Sequence, residues 1–124
     1  MHTFNFEELI VYQRALKFSE QIYQITQLWP KEHLYGMTDQ LRRASLSIVL
    51  NIAEGSSRTR KDFLHFLIIS RGSCYECIPL LNLAVSLSLL STKDYQTFYN
   101  ELTELSRMLS GLRTSLAKKS LSNP

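Results

Sequence analysis

The sequence predicts an all-α protein, an antiparallel up-and-down four-helix bundle. Apolar residues recur with alternating steps of four and three over long segments, which is the spacing of helices that pack lengthwise. Short polar or proline-containing connections separate these segments, and no segment alternates like a strand. We therefore expect one domain over residues 1–124, with helices at about 6–29, 36–55, 60–90 and 92–119.

The first and last predicted helices carry regular apolar seams, which we expect to face the core. The seam of the first helix consists of Val11, Ala15, Phe18, Ile22, Ile25 and Trp29. The seam of the last helix consists of Tyr95, Phe98, Leu102, Leu105, Leu109, Leu112 and Leu116. Pro30 ends the first helix, because the residue before a proline disfavours helical backbone angles.

The second predicted helix, in the segment QLRRASLSIVLNIAEG, interleaves polar and apolar residues toward the inside of the bundle. One seam consists of Gln40, Arg43, Ser47, Leu50 and Glu54, and its neighbour of Leu41, Ala44, Ile48, Asn51, Ile52 and Gly55. An unpaired buried charge is costly, so these charges must be paired, hydrated or at a subunit interface. Gly55 is expected to end the helix.

The third predicted helix has a seam that mixes apolar and polar residues. Its members are Phe66, Ile69, Ser73, Glu76, Leu80, Leu83, Leu87 and Leu90. Thr59 is expected to cap the start of the helix, with Asp62 three residues later. Pro79 lies inside the helix and predicts a kink around residues 75–79, since proline cannot donate the helical hydrogen bond.

The polar residues of the second and third helices predict a structural network made of Arg43, Ser47, Asn51, Glu54, Ser73 and Glu76. In this network Arg43 pairs with Glu76 or Glu54, and the hydroxyl and amide groups complete the hydrogen bonds. The alternative is a catalytic or metal site formed by the two glutamates. Neither has a histidine three residues later, as metal-binding bundles do, so we expect no metal and no enzyme activity.

The cysteine pair Cys74 and Cys77 has neither the further ligands of a zinc site nor the βαβ context of a redox motif. We interpret both as small residues buried in a helix. No other motif indicates a catalytic centre or a cofactor, and we expect neither.

The chain is expected to be cytoplasmic. Its first residues, MHTFNFEELIVYQR, include acidic residues and no basic segment before an apolar run, which argues against a secretory signal. The longest apolar stretch, residues 78–90, is interrupted by Asn82 and two serines and is shorter than the roughly 20 residues of a membrane span. We therefore expect no membrane contact.

Positive charge is concentrated in two segments. The formal net charge is +3 and the isoelectric point is about 9.0. Residues 42–71 contain six basic and two acidic residues, and residues 107–119 contain four basic residues and no acidic one. Such asymmetry suggests a polyanionic partner.

Several segments together resemble a known family. FEELIVYQRAL, WPKEHLYGMTDQLRRASLSIVLNIAEGSSRTRKDFLHFL and GSCYE are similar to the small bacterial four-helix-bundle proteins encoded in intervening sequences of large-subunit ribosomal RNA genes. The resemblance covers nearly the whole chain. The positions that match the family pattern are Arg43, Ser47, Asn51, Glu54, Gly55, Gly72, Ser73 and Glu76. Pro79 and the cysteine pair depart from it.

The resemblance also implies a function. The family is thought to form ring-like homopentamers, and its fold is similar to the accessory variability protein of diversity-generating retroelements, a basic pentamer that binds nucleic acid and a reverse transcriptase. By this resemblance the chain is a non-enzymatic homo-oligomeric scaffold that binds RNA or DNA backbone, a reverse transcriptase, or both. The alternative is a protein-protein interaction module with no direct nucleic-acid contact.

If a ring repeats the two basic segments of each chain, we expect their basic residues to make the nucleic-acid contacts. They are Arg42, Arg58, Arg60, Lys61, Arg107, Arg113, Lys118 and Lys119. Such contacts are made to phosphates and weaken with salt. Tyr35, Tyr95 and Tyr99 are candidates for stacking on unpaired bases.

Overall fold

The computed structural model of the chain describes residues 4–122 and the side chains of residues 4–119. The four helices are α1 (Ile10–Thr26), α2 (Asp39–Ser56), α3 (Arg60–Ser86) and α4 (Thr92–Ser122). A 3-10 turn, Asn5–Glu8, precedes α1, and a 3-10 turn and a π-helical turn, Lys31–His33 and Leu34–Thr38, join α1 to α2. No strand occurs in the described residues, and the predicted all-α four-helix bundle is confirmed.

Five of the predicted helix boundaries differ from the structure by three or four residues: both ends of α1, the start of α2, and the ends of α3 and α4. The two largest differences are at the start of α1 and the end of α3. α1 begins at Ile10 and not near residue 6, because Leu9 has an extended backbone after the preceding turn. α3 ends before residue 90, because Ser88 adopts a left-handed conformation with a φ of 60°. The Leu89 amide then donates to the Ala84 carbonyl at 2.9 Å, which closes the helix as in a Schellman motif.

Consecutive helices run antiparallel, and α2 and α3 are the most closely packed pair. The Ser70 hydroxyl of α3 donates to the Ile48 carbonyl of α2 at 2.8 Å. On the other side of α3, Arg71 Nε donates to Ser106 Oγ of α4 at 3.1 Å. These two bonds fix the position of α3 along its axis, its level, relative to α2 and to α4.

The predicted seams of α1 and α4 are confirmed. Every residue of both seams is buried in the core or packs against it half-buried. Phe18 of α1 and Phe98 of α4 meet edge to face across the core, with ring centroids 5.9 Å apart. A regular run of large apolar residues therefore identifies the inner face of these two helices.

The predicted seam of α3 is confirmed only in part, since Ser73 and Leu90 are buried and Leu80 packs half-buried against the core. The buried face of α3 consists of Leu67, Ser70, Ser73, Cys74, Cys77, Leu81 and Ala84, of which only Ser73 belongs to the predicted seam. Three large residues of the predicted seam, Ile69, Leu83 and Leu87, are instead 40 to 47% exposed. Small residues between Leu67 and Leu81 on this face allow α2 and α3 to approach closely, and the buried serine hydroxyls are satisfied by hydrogen bonds.

The cysteine pair and Pro79 all lie inside α3. Cys74 and Cys77 are free, buried thiols inside the helix, as predicted. Pro79 is exposed, and the helix continues through it to Ser86, so the predicted irregularity does not interrupt α3.

Gly55 has a different role from the one predicted. α2 continues to Ser56, so Gly55 does not end the helix. A Cβ atom at residue 55 would lie 2.6 Å from Phe66 Cβ and 2.9 Å from the Phe63 ring. Phe66 Cβ is fixed by the backbone of α3, so the absent side chain of Gly55 is what allows the two helices to meet at their connection.

Replacing Gly55 with alanine is expected to lower the free energy of unfolding by about 1–3 kcal/mol, because the added methyl group overpacks the contact with Phe66. The matched control is Gly111→Ala in α4, where a Cβ would meet nothing within 4 Å. Alanine is favoured over glycine by about 0.5–1 kcal/mol inside a helix, so the control should become more stable. Urea unfolding measures both. Equal stabilisation of the two variants would contradict the close contact.

Burial of the two thiols predicts a pH-dependent stability. Desolvation raises the pKa of Cys74 from 9.0 to about 12 and also raises the pKa of Cys77. Above about pH 9 the unfolded chain releases both protons and the folded chain keeps them, so the free energy of unfolding falls as the pH rises toward the folded pKa values. The loss approaches about 1.4 kcal/mol per pH unit for each thiol.

The measurement is urea unfolding in reductant between about pH 8 and pH 10. The control is the double variant Cys74→Ala, Cys77→Ala, which is expected to lose stability less steeply over this range. An identical slope in the wild-type protein and the double variant would show that the thiols are not protected from titration.

Candidate nucleic-acid interface

One end of the bundle collects basic residues from two segments that are far apart in sequence. The bond between Arg71 and Ser106 sets the level of α3 against α4. Because the two helices rise about 1.5 Å per residue in opposite directions, Lys118 comes to about the level of Arg60. The α2–α3 connection and the last turns of α4 therefore lie at the same end. We call this the basic end, made of Arg58, Arg60, Lys61, Arg113, Lys118 and Lys119.

The connection that presents half of these residues is held by short-range hydrogen bonds. The Arg58 amide donates to the Gly55 carbonyl at 3.1 Å. The Thr59 side chain accepts from the Asp62 amide at 3.2 Å, which confirms the predicted cap. The chain thus turns within three residues, and Arg60 is the first residue of α3.

The residues of the basic end differ in how much charge they offer to a partner. All six are exposed. The guanidinium of Arg58 forms an ion pair with Glu54, which raises the pKa of Arg58, and lies over the Phe66 ring. Arg60, Lys61 and Arg113 form no ion pair with the described part of the chain. These three are the cations best placed to meet phosphates.

Acidic residues reduce the positive charge on one side of this end. Glu7 and Glu8 lie in the turn before α1. That turn lies beside the end of α2, since Phe4 and Asn5 line a shallow cleft together with Ser56. These two glutamates therefore lower the positive charge on the α1 side of this end.

Two of the expected nucleic-acid contacts are not part of the basic end. Arg42 lies near the start of α2, about 24 Å along the helix from Arg58. Its Nε donates to Thr26 Oγ1 at 2.8 Å and its guanidinium lies over the Tyr23 ring, so it ties α2 to the last turn of α1. Arg107 lies midway along α4 and pairs with Glu104 at 3.3 Å.

The predicted polar network exists in part. Ser73 Oγ donates to Ser47 Oγ at 2.9 Å, and Asn51 Nδ2 donates to the same oxygen at 2.9 Å. These three residues link α2 to α3 at mid-height. Sequence reasoning therefore placed the neutral members of the network correctly.

The charged members of the network are placed differently from the prediction. Arg43 pairs with Asp39, one turn earlier in α2, at 3.0 Å, and its side chain is 79% exposed. Glu54 pairs with Arg58. Glu76 is exposed and lines a groove with Arg43 without an ion pair between them. The predicted pairing of Arg43 with Glu76 or Glu54 is therefore wrong, because their helix faces point outward and not into the core.

These outward residues form a continuous surface along the two helices. We call it the α2–α3 face, made of Arg43, Ser47, Leu50 and Glu54 from α2, Ile69, Glu76, Leu80 and Leu83 from α3, and Leu87 directly after α3. Leu50 is 56% exposed, and the large residues of α3 on this face are exposed or half-buried. Their heptad spacing is that of a helix-packing seam, yet no helix of the described chain covers it.

Glu54 and Glu76 do not share a site. Gly55 packs on Phe66, which places Glu54 about 15 Å along α3 from Glu76. Among the described residues, no group of three or more histidine, cysteine, aspartate or glutamate side chains could hold a metal ion. The described helices also include none that is long and apolar enough to cross a membrane.

The three tyrosines considered for base stacking lie in different places. Tyr35 is 90% exposed on the π-helical turn, at the end of the bundle opposite the basic end. Tyr95 packs half-buried against the core, and its ring lies 5.8 Å from that of Tyr99. Tyr99 is 41% exposed and lines a groove between α3 and α4.

Sequence reasoning missed Tyr75 and did not assign Arg71 to the site. The Arg71 guanidinium lies over the Tyr75 ring, 5.0 Å from its centroid, and also donates to the Tyr75 hydroxyl at 3.0 Å. An arginine followed by a tyrosine at i+4 is the local signal that would have found this pair.

The fold and the basic end define a small all-α bundle with a cationic end and an uncovered helical face. The chain matches the family described as 23S rRNA-intervening sequence protein over residues 7–111, and it belongs to this family. Its fold is similar to the crystal structure of a protein of unknown function from the S23 ribosomal protein family of Bacteroides thetaiotaomicron VPI-5482. The TM-score is 0.78 and the identity 24%, over 85% of this chain and 96% of the other. No curated protein matches the sequence.

Proposed function

We propose that this protein is a non-enzymatic homo-oligomeric scaffold that binds the backbone of nucleic acid, RNA above all, through its basic end. The observation that carries the proposal is the convergence of Arg60, Lys61 and Arg113 at one end of the bundle, exposed and without ion pairs to the described residues. Side chains of this kind contact phosphates without reading sequence.

The oligomeric part of the proposal is supported by the α2–α3 face. A heptad seam of leucine and isoleucine that remains exposed in the monomer marks a surface for another helix. Contact through the same face of two chains would stop at a dimer, so a ring requires that the face meets a different surface of the next subunit. The homopentamer implied by the family resemblance is of this ring type.

Oligomerisation would compensate for the modest charge of one subunit. A single chain has a formal net charge of only +3. Repeating the basic end around a ring lets several weak phosphate contacts act on one polyanion, and the effective concentration of each further contact then raises the affinity. The same ring could present the α2–α3 face or another surface to a protein partner such as a reverse transcriptase.

The triple variant Arg60→Ala, Lys61→Ala, Arg113→Ala is expected to bind a labelled structured RNA more weakly than wild type. The slope of log Kd against log salt should fall by about two to three for each subunit that contacts the RNA, because each lost phosphate contact removes about one released counterion. Fluorescence anisotropy across a salt titration measures both quantities.

The matched control changes the net charge equally at other places. Lys17, Lys31 and Lys93 are exposed and lie outside the basic end. Their replacement with alanine should leave the salt slope within about one unit of wild type. Equal weakening by the two triple variants would mean that net charge and not the basic end binds RNA.

Replacing Leu83 and Leu87 with glutamine is expected to reduce the mass of the particle in solution, as measured by light scattering. Both side chains are exposed in the monomer, so the thermal melt should show an intact fold. The control is Leu16→Gln, Leu28→Gln, two exposed leucines outside the α2–α3 face. An unchanged mass in the first variant would remove this face from the subunit interface.

The α2–α3 face also favours the second candidate function, a protein-protein interaction module without nucleic-acid contact. A monomeric wild-type protein that binds no RNA at low salt and retains a protein partner after nuclease treatment would favour this alternative over the scaffold.

A further inference from the structure

The groove between α3 and α4 is a surface that the phosphate-binding proposal does not use. It has a volume of about 450 Å³ and is lined by Tyr75, Ile78 and Pro79 of α3 and by Tyr99, Thr103 and Ser106 of α4. We infer that this groove accepts an unpaired base, and that the nucleic acid bound by the protein is therefore single-stranded. This inference rests on the proposed nucleic-acid function.

Two exposed aromatic rings carry the inference. Tyr75 is 58% exposed and Tyr99 is 41% exposed, and both line the groove. Aromatic side chains hold unpaired bases by stacking, which is tolerant of sequence because every base has a π face. A duplex cannot present a base in this way without unstacking it.

The position of Tyr75 is fixed by Arg71. The guanidinium bonds both the Tyr75 hydroxyl and Ser106 Oγ, at 3.0 and 3.1 Å, while it covers the tyrosine ring. Tyr75 is thus anchored to both helices that form the groove. A ring held in place loses little conformational freedom when a base stacks on it, and the planar guanidinium is itself a stacking surface.

The groove also offers polar groups suited to a base edge. Thr103 and Ser106 place hydroxyl groups along the α4 wall of the groove. An apolar floor with a few hydrogen-bonding groups at its rim is the usual form of a small-molecule or base pocket.

A line of cations connects the groove to the basic end. Tyr99, Ser106 and Arg113 follow one another at about two helical turns and therefore lie on one side of α4. On α3 the path runs from Tyr75 past Arg71 to Arg60, about 22 Å away. A strand that binds Arg60 and Arg113 through phosphates thus reaches the groove with several nucleotides.

The test compares a labelled single-stranded RNA of mixed sequence with the duplex of the same strand by fluorescence anisotropy. Tyr75→Ala is expected to weaken binding of the single strand by about 5- to 150-fold, the range of one lost base stack. Binding of the duplex should change less than about twofold, and the salt slope should stay as in wild type, because no phosphate contact is removed.

Three controls separate stacking from other effects. Tyr75→Phe retains the ring beneath the Arg71 guanidinium but loses the hydroxyl bond, and it should bind the single strand more tightly than Tyr75→Ala. Tyr35→Ala removes an exposed tyrosine at the opposite end and should bind like wild type. The particle mass of Tyr75→Ala should equal that of wild type by light scattering. A changed mass would make the groove a subunit contact and overturn the inference.

The outcomes distinguish this inference from the proposed function. If wild type binds strand and duplex, and Tyr75→Ala changes neither or weakens both equally, the base-binding groove is overturned and the phosphate-binding scaffold stands. If wild type binds neither the single strand nor the duplex at low salt, both the base-binding groove and the phosphate-binding scaffold are overturned.

Discussion

The close packing of α2 against α3 is the constraint on which the rest of the structure depends. It is made by small groups: the Ser70 hydroxyl bonded to the Ile48 carbonyl, Ser73 bonded to Ser47, and the missing side chain of Gly55 against Phe66. All of these groups are small, so the two backbones can approach closely. The buried serine hydroxyls also need hydrogen-bond partners, which they find on the other helix. The register of the two helices follows from these contacts, and with it the position of the basic connection between them.

This packing explains why the sequence predicts the fold better than the faces of α3. The heptad period identifies a helix wherever it occurs, and in α1 and α4 only one seam has large apolar residues, so their inner face was predicted correctly. α3 has two seams with the same period. Large residues such as Leu83 mark the outer one and small residues such as Ser70 and Cys74 the inner one. The size of the apolar side chains therefore identifies the wrong seam as the inner one when the true inner seam contains small residues that let the helices approach closely.

The candidate site could also be predicted from the sequence only in part. Composition indicates the sign of the charge and the two segments that carry it, but not that Arg60 and Lys118 share one end, since this depends on the level of α3 against α4. Arg42 has the same residue type and lies in the same charged segment, yet it is used to bind the end of α1 through Thr26 and Tyr23. A local sequence pattern does not separate a cation that holds two helices together from one that is exposed to a partner.

α3 has three sides with different surroundings. One side, with Ser70 and Cys74, packs in the core; a second, with Leu83, belongs to the uncovered α2–α3 face; the third, with Tyr75, forms the groove with α4. The second and third sides share no residue, although Pro79 of the groove and Leu83 of the α2–α3 face lie about one helical turn apart. The proposed self-association and the proposed base binding therefore rest on different residues of one helix, so variants of Leu83 and of Tyr75 test them separately.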